Sequence, residues 1–534
     1  MKGTADRNPQ RRTQYQSTSS RRILCVFPRY APSFGTFEHA YPLIPRVDAF
    51  MPPQGLLVIA AYFPEAWEVR FVDENMRPAG DSDYRWADAV LVSGMHVQRA
   101  GIESITRAAR RHDTLTILGG PSVSGCPEYY PDVDVLHVGE LGDATDAVIE
   151  YIDKDGGRPA RQLRFETSER LPLDRFPLPA YDLLDLSRYF LGSIQFSSGC
   201  PYQCEFCDIP ELYGRRPRFK TREQIEAELD ALVAAGVPGA IYFVDDNFIG
   251  NRKAARQLLP YLVQWQRSRG FPVEFACEAT LNLAQQHDIL AMMREANFAT
   301  VFCGIETPEP QALGAIHKEH NMRHPIEESV KTLNSFGMEV VAGIILGLDT
   351  DTPQTVDNIL SFIDQTNIPM LTINLLYALP RTPLYRRLES EGRLEPDPSK
   401  ASNVDFRMPY EQVIGMWNRC ISEAYDPVKL FKRFAHQTQM TFPNRITPDR
   451  KVTASQVVFG LQILARVLWR VGVRSDYRRI FWKHAGPLLR AGRIEEVIHI
   501  GLVSHHLIRF SRDAVSGKAE ACFYADPSEV EAAV

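Results

Sequence analysis

The chain has 534 residues, too many for one ordinary hydrophobic core, so we expect two or three domains. Hydrophobic residues make up 44% and charged residues 24% of the chain, which is typical of globular proteins. The net charge of −6 gives no reason to expect nucleic acid as a partner. No apolar run reaches the roughly 18 residues that a transmembrane helix needs.

Residues 1–21 are polar and rich in arginine, and they lack the apolar segment of a secretory signal. We therefore predict a disordered tail here, whereas the prediction of a cytoplasmic protein rests on the cysteines. The chain has nine cysteines, an odd number spread over its length, which is not the pattern of a disulfide framework. Three of them fall within eight residues, which suggests a metal site in a reducing compartment.

Short apolar runs alternate with helical patterns over residues 22–152. The runs predict strands at 23–27, 68–72, 89–93, 114–118 and 133–138, and the patterns predict helices at 56–63, 102–111 and 145–151. Continuous apolar strands between helices indicate a parallel sheet covered on both faces, so we expect a small doubly wound α/β domain. A ligand of such a domain lies at the carboxyl ends of its strands.

The rest of the chain divides into four further segments. A polar and then proline-rich composition predicts a linker at 153–192. A second α/β series occupies 193–395, with predicted strands at 193–196, 240–244, 273–276, 300–304, 340–346 and 371–376. Six such units fit a partial TIM-type (β/α)6 barrel. Residues 396–513 predict a helical C-terminal region, and 514–534 a polar tail.

The three clustered cysteines are Cys200, Cys204 and Cys207, with the spacing C-x3-C-x2-C. Thiolates so spaced on a loop after a strand can hold three corners of a 4Fe–4S cluster and leave one iron open to a substrate. The alternative is a structural zinc site, but such sites use four ligands and no Cys/His pair stands nearby. The motif therefore predicts a cluster held by these three cysteines.

This motif resembles the radical S-adenosylmethionine (SAM) superfamily, over about residues 193–388. The resemblance implies that the open iron binds SAM, whose reductive cleavage yields a 5′-deoxyadenosyl radical, and that a donor such as a ferredoxin or flavodoxin supplies the electron. It also implies a set of SAM-binding residues near the ends of successive strands: Phe206, Asp245, Asp246, Asn247, Glu306, Gly343, Ile345 and Gly347. Two alternatives stay open, since Phe206 could be a packing residue and the residues at 245–247 could cap a helix.

The first domain carries a second resemblance. Ser93 is followed 26 residues later by Gly119-Gly120, as in cobalamin-binding domains, where the glycine pair lets the backbone approach the nucleotide tail. The residues that this resemblance assigns to cobalamin are Ser93, Gly94, Gly119, Gly120, Gly139 and Glu140. The D-x-H-x-x-G motif of many such domains is absent, and His39 and His96 are off its pattern. The resemblance thus implies base-off cobalamin without a histidine ligand. The rival is a flavodoxin-like domain that binds nothing or another nucleotide.

Together the two halves resemble the class B, cobalamin-binding radical SAM methyltransferases. The stretches 27–41, 50–60 and 71–75 are most similar to the hopanoid C-2 methylase subgroup. That resemblance implies methylation of an unactivated carbon, C-2 of a pentacyclic triterpenoid lipid, through methylcobalamin and a 5′-deoxyadenosyl radical. The alternatives are a cobalamin-dependent methylase of a peptide or antibiotic precursor, or a methylthiotransferase.

One helical pattern at 456–474 carries Arg466, Arg470 and Arg474, with Trp469 near their border. A spacing of four places these arginines on one face of a helix. Arginines and an aromatic ring beside an apolar surface suit peripheral contact with an anionic membrane, where a lipid substrate would be found. The alternative is a helix that packs on its own core and exposes only a basic edge.

Overall fold

The computed structural model describes residues 17, 19–237, 239–397, 399–448 and 453–519. The predicted N-terminal tail, apart from its last few residues, and most of the predicted C-terminal tail lie outside the described residues, as does Cys522.

The first part of the chain forms a six-stranded parallel sheet with helices on both faces. The sheet order is β2-β1-β3-β4-β5-β6. Its strands are β1 (Arg22–Phe27), β2 (Glu68–Asp73), β3 (Ala89–Ser93), β4 (Leu115–Gly119), β5 (Val135–Val138) and β6 (Leu163–Glu166). Its helices are α1 (Gln54–Tyr62), α2 (Asp81–Trp86), α3 (Arg99–Arg111), α4 (Pro121–Gly125) and α5 (Asp143–Lys154). Along β1, Ile23 and Cys25 belong to the apolar core on one face, and Leu24 and Val26 to that on the other.

The second part forms another six-stranded parallel sheet, in the order β14-β13-β12-β11-β10-β7, with a small antiparallel hairpin of β8 and β9. Its strands are β7 (Gly192–Ile194), β8 (Ser197–Ser198), β9 (Arg218–Phe219), β10 (Ala240–Phe243), β11 (Glu274–Glu278), β12 (Phe298–Glu306), β13 (Glu339–Leu346) and β14 (Met370–Leu375). Its helices are α6 (Ile209–Leu212), α7 (Arg222–Ala234), α8 (Arg252–Ser268), α9 (His287–Glu295), α10 (Pro310–Ala315), α11 (Ile326–Ser335), α12 (Thr355–Thr366) and α13 (Pro383–Ser390).

Five helices complete the described chain. They are α14 (Tyr410–Ala424), α15 (Pro427–Met440), α16 (Ala454–Arg470), α17 (Arg478–Arg490) and α18 (Ile494–Val515). Their buried side chains, such as Phe431 and Val467, join the same apolar core as barrel residues such as Ile241. The C-terminal helices are therefore packed onto the barrel and share its core.

The predicted fold class is confirmed: a doubly wound first domain, a partial (β/α)6 barrel and a helical C-terminal region. The segment predicted as a linker nevertheless contributes β6, whose residues alternate between half-buried and exposed. This edge strand has only two apolar residues, Leu163 and Phe165, and so gives no continuous apolar run in the sequence. None of the helices in the described part of the chain has the length and apolar composition of a membrane span.

Next to the β8–β9 hairpin lies a buried ion pair between Lys220 and Glu228. Neither side chain is more than 2% exposed, and burial raises the pKa of Glu228. We expect Lys220→Met to lower the free energy of unfolding by about 3–5 kcal/mol, because it leaves a buried carboxylate without a partner. Urea unfolding of the apo protein followed by circular dichroism would measure this loss.

Two further variants serve as controls for that measurement. The double variant Lys220→Met/Glu228→Leu should recover much of the loss, since no buried charge is left unpaired. Lys331→Met, which breaks an exposed pair with Glu328, should change little. Equal stability of wild type and Lys220→Met would contradict the expectation.

Candidate active site

The three cysteines of the motif lie on one loop at the carboxyl end of the barrel sheet, directly after β8. All three are half-buried free thiols. Gly199 starts the loop with a φ of +97°, and a Cβ there would lie 2.8 Å from the carbonyl oxygen of Gly214. That same carbonyl accepts a hydrogen bond of 3.2 Å from the amide of Cys200. Glycine at 199 thus lets the loop close tightly before its first cysteine.

The donor set fits an iron–sulfur cluster. Burial raises the pKa of each thiol, while the nearby Lys318 ammonium favours the thiolates of Cys200 and Cys204. Within the described residues, no three His, Cys, Asp or Glu side chains converge as they would around a single metal ion. A cubane cluster uses a different arrangement, in which each thiolate binds its own iron. Three thiols on one loop match that arrangement.

The carboxylates at the end of β10 hold this loop in place. Asp245 is buried and accepts hydrogen bonds from the amide and hydroxyl of Ser197 and, at 3.2 Å, from the amide of Phe196. Asp246 accepts a 2.6 Å bond from the amide of Gly199. Burial raises the pKa of Asp245 to about 7 and that of Asp246 to about 6. Asp245 is committed to the backbone, whereas Asp246 also lines the cavity described below.

Asn247, the third of these residues, lies beside Cys200, and its amide group offsets part of the burial that raises the pKa of that thiol. The Asn247 side chain also approaches the hydroxyl of Thr280 at 3.4 Å, at the end of β11. The alternative interpretation of 245–247 as a helix cap is not supported, because α8 begins at Arg252 and its cap is the side chain of Asn251. The structure thus associates 245–247 with the cysteine loop.

A buried ion pair also lies near the cysteines. Glu306, at the end of β12, pairs with Lys318, and each side chain is at most 8% exposed. The Lys318 ammonium also lies 5.6 Å from the ring centroid of Phe206. A Cβ at Gly304 would approach the Lys318 nitrogen to 2.7 Å, so glycine makes room for the pair. Lys318 was missed by the sequence analysis, because nothing in its polar surroundings signals a buried lysine.

The three predicted residues of β13 and its following turn lie near this pair. Gly343 faces the barrel interior, where a Cβ would lie 3.3 Å from the Phe302 ring and 3.6 Å from a Glu306 oxygen. Ile345 is half-buried on the same side of the strand. Gly347 has a φ of +95°, and a Cβ there would overlap the ring of Phe406. Gly347 therefore serves a packing need in this turn.

The predicted cobalamin residues meet at the carboxyl edge of the first sheet. Ser93 and Gly119 are paired in register across β3 and β4. Gly120 has a φ of +92°, and a Cβ there would overlap the Ser93 hydroxyl oxygen. Gly94 and Gly139 complete this edge; Gly139 has a φ of +106° and a Cβ there would lie 2.9 Å from Thr167. The result is a backbone cradle that a side chain at Gly120 would fill.

Glu140 follows this cradle but is engaged in ion pairs. Its carboxylate lies 2.7 Å from the Arg218 guanidinium on β9 and 3.0 Å from that of Arg170. Both arginines also donate to the carbonyl oxygen of Tyr213, which follows the cysteine loop. Glu140 therefore joins the first domain to the hairpin that starts the cluster loop.

The two histidines weighed as off-pattern bind other side chains and do not line the cavity described below. His39 pairs with Asp513 at 3.2 Å, and His96 contacts the hydroxyl of Ser122 at 3.1 Å. The sequence analysis missed His137, which lines the cavity beneath Gly119. Its Nε2 bonds the Thr145 hydroxyl at 2.8 Å, and burial lowers its pKa to about 4.

One cavity of about 860 Å³ connects these regions. It is lined by Ser93, Gly94, Gly119, Gly120, Gly139 and Glu140 at the first sheet and by Asp246 at the cysteine loop. It continues into the barrel along Tyr242 and Thr300, and reaches Leu507 of α18. A ligand at the glycine cradle and a second one in the barrel would thus meet in a shared space.

Comparison with known proteins gives the same division of the chain. Residues 42–149 match the family described as B12 binding domain, 194–363 match the Radical SAM superfamily, and 382–520 match a domain of unknown function, DUF4070. The chain is 57% identical to the hopanoid C-2 methylase of Rhodopseudomonas palustris (strain TIE-1), over 95% of this chain and 96% of that protein. The chain belongs to the hopanoid C-2 methylase family. It is therefore a cobalamin-binding radical SAM methyltransferase.

More distant proteins of the same kind share its sequence or its fold. An uncharacterized methyltransferase of Synechocystis sp. is 35% identical over 91% of this chain and 90% of its own length. The radical SAM methyltransferase TsrM from Kitasatospora setae superposes with a TM-score of 0.56 at 15% identity, covering 80% of this chain and 99% of TsrM. The cobalamin-dependent enzyme OxsB gives the same TM-score at 14% identity, covering 93% of this chain and 80% of OxsB.

The cysteine loop yields a first test of this site. We expect Cys204→Ala to abolish formation of 5′-deoxyadenosine from SAM, because the cluster loses one of its three thiolates. Cys126→Ala, at a half-buried cysteine of the first domain, should keep normal iron content and activity. Iron analysis and chromatography of the reaction products would check both. Normal 5′-deoxyadenosine production by Cys204→Ala would contradict the assignment of Cys204 as a cluster ligand.

The glycine cradle yields a second test. Gly120→Leu should lose cobalamin, because its side chain would occupy the space beside Ser93 where the cofactor approaches the backbone. Gly270→Leu is a matched control, since Gly270 also has a positive φ, of +70°, but open space around its Cβ position. Absorbance after reconstitution would measure bound cobalamin, and circular dichroism would verify folding. Stoichiometric cobalamin in Gly120→Leu would show that the cradle is not the binding site.

Proposed function

We propose that the protein transfers a methyl group to C-2 of a hopanoid, a pentacyclic triterpenoid lipid, with a 4Fe–4S cluster, SAM and cobalamin as cofactors. The observation that carries this proposal is the 57% identity to a hopanoid C-2 methylase over 95% of the chain. It is supported by the cavity that joins the glycine cradle to the barrel interior.

The predicted residues take distinct parts in this proposal. Cys200, Cys204 and Cys207 would hold the cluster. The SAM-binding residues would have different roles: Asp246, which lines the cavity, would face the ligand, while Asp245 fixes the loop. Ser93, Gly119 and Gly120 would form the floor beneath the nucleotide tail of cobalamin, which we propose binds base-off without a histidine ligand.

The ring carbon to be methylated has no acidic proton, so no side-chain base could activate it near neutral pH. When bound, the three cofactors would supply the radical that removes a ring hydrogen and the methyl group that replaces it. The chain's own residues must exclude water from this step and orient the rings.

The barrel interior suits that task. A closed TIM barrel fills its interior with bulky side chains. Here small residues, among them Ala240, Ala276, Thr300 and Thr372, share the cavity wall with bulky ones such as Phe302. The small residues leave room for a rigid ligand between the strands. The polar groups beside them include Tyr242 and Glu278, whose oxygens lie 3.4 Å apart, and burial raises the pKa of Glu278 to about 7.

Two partners follow from the proposed reaction. Reductive SAM cleavage consumes an electron, which we propose a ferredoxin- or flavodoxin-type protein supplies. A lipid substrate resides in a bilayer, and we propose that the enzyme meets it from the cytoplasmic side as a peripheral protein.

The proposed function is tested with the reconstituted enzyme under anaerobic conditions. Incubation with reductant, a detergent-dispersed hopanoid and SAM carrying a trideuteromethyl group should give a hopanoid with one labelled methyl on C-2. Mass spectrometry and comparison with an authentic standard would identify it, with Cys204→Ala as the inactive control. Formation of 5′-deoxyadenosine without any labelled lipid would contradict the substrate and favour a peptide or antibiotic precursor.

The barrel cavity gives a sharper test. We expect Ala276→Phe to reduce hopanoid methylation at least about 10-fold, because the ring would fill the space between the strands, while substrate-free SAM cleavage continues. Ala276→Ser, a small replacement at the same position, should stay near wild type. Equal methylation by the Phe and Ser variants would place the substrate outside the barrel.

A further inference from the structure

Helix α16 is apolar on two sides. Its inner side, with Ile463 and Val467, packs against α18. Its outer side carries Val458, Leu461, Ala465 and Trp469, at spacings of three or four residues that place them in one row. Val458, Leu461 and Trp469 are 54%, 52% and 57% exposed. We call this row the outer stripe.

The outer stripe continues beyond the end of the helix. Val473 extends it by one further turn and is 49% exposed. Beside it, Trp482 of α17 is 40% exposed and donates a 2.8 Å hydrogen bond to the carbonyl oxygen of Gly472. Two tryptophans and four aliphatic side chains thus share one exposed surface. A helix that only packs on its own core would place such residues inward and leave polar residues outside.

Cations lie beside the C-terminal half of this surface, from Arg466 onward. Seven exposed basic residues lie between 454 and 490: Arg466, Arg470, Arg474, Arg478, Arg479, Lys483 and Arg490. The same segment has one acidic residue, Asp476, whose carboxylate already pairs with Arg512. Among the described residues, none of these seven cations has a carboxylate partner at salt-bridge distance. Their charge is therefore available to an outside anion.

The surface adjoins the substrate cavity. Arg466 approaches the carbonyl oxygen of Pro42 at 3.5 Å, and the turn Tyr41–Leu43 packs against α16. The preceding segment lines the cavity through Phe34 and Phe37. The Phe37 ring in turn contacts the ring of His506 on α18. One small block of structure thus contacts α16 at Arg466, a cation beside the outer stripe, and also lines the cavity.

We propose that the outer stripe, with its flanking cations, docks the enzyme onto an anionic phospholipid bilayer. Exposed aliphatic residues and tryptophans would enter the boundary between headgroups and acyl chains, and the arginines and lysine would contact the phosphates. The proposed function supplies only the reason for the enzyme to approach a bilayer, and in that respect the inference rests on it. The docking surface itself is defined by the exposure and charge of its residues. Docking here would bring the cavity to the membrane that holds the substrate.

The proposal is tested by co-sedimentation of the full-length reconstituted enzyme with vesicles. One set contains phosphatidylcholine alone and the other adds phosphatidylglycerol, each at low and high salt. Wild type should bind the anionic vesicles at low salt and less at high salt. Each basic residue near an anionic surface strengthens binding about fivefold, so Arg466→Glu/Arg470→Glu/Arg474→Glu should weaken it at least about 100-fold.

Two further variants separate the apolar from the electrostatic contribution. Leu461→Ser/Trp469→Ser should weaken binding at both salt concentrations, since it removes apolar contact. The control Arg85→Glu/Arg107→Glu/Arg111→Glu reverses three exposed charges of the first domain and should bind like wild type. Circular dichroism would verify that all variants fold, and all should methylate detergent-dispersed substrate normally.

Three results would overturn the proposal. The first is that the wild-type enzyme stays in the supernatant with anionic vesicles at low salt, and the second is that wild type and the triple variant of α16 bind equally. The third is that the wild-type enzyme is a dimer in solution and the Leu461→Ser/Trp469→Ser variant dissociates it. The last result would assign the stripe to a contact between two copies. Vesicle binding without methylation of any hopanoid would instead refute the proposed substrate and leave the docking surface standing.

Discussion

The β8–β9 hairpin is the point on which both halves of the site depend. From the barrel side, Asp245 accepts hydrogen bonds from Ser197 at the start of the hairpin. From the first domain, Glu140 reaches across to Arg218 on the second strand. The cluster loop begins within this hairpin, so its cysteines are positioned by both domains together. Leaving a buried or half-buried carboxylate unpaired would lower the stability of the protein. These pairs therefore keep the carboxyl edges of the two parallel sheets facing each other.

The sequence predicted the parts of this site that follow from spacing along the chain. The C-x3-C-x2-C motif and the pairing of Ser93 with Gly119-Gly120 are local patterns, and the order of apolar runs predicted both parallel sheets. It could not predict which carboxylate would face the cavity. Asp245 and Asp246 are adjacent and chemically alike, and only the side of the strand to which each points distinguishes them.

Features that depend on a packing partner were missed for the same reason. Lys318 stands in a run of polar residues, yet it is buried against Glu306 and close to the cysteines. Strand β6 was hidden because an edge strand with alternating exposure needs few apolar residues. In both cases the signal lies in the packing partner and not in the residues of the segment itself.

The placement of apolar surface in this protein fits the function proposed above, in which the enzyme handles a large apolar ligand. In an ordinary barrel the interior is filled and the outside of each amphipathic helix is polar. Here small residues such as Ala276 leave part of the interior open, and α16 leaves an apolar row outside. Each departure would cost stability in a protein with no such ligand, since an open interior loses packing contacts and an exposed apolar row contacts water. A bulky apolar molecule that enters the barrel from a lipid phase would reverse both costs, because it fills the first space while the bilayer covers the second surface.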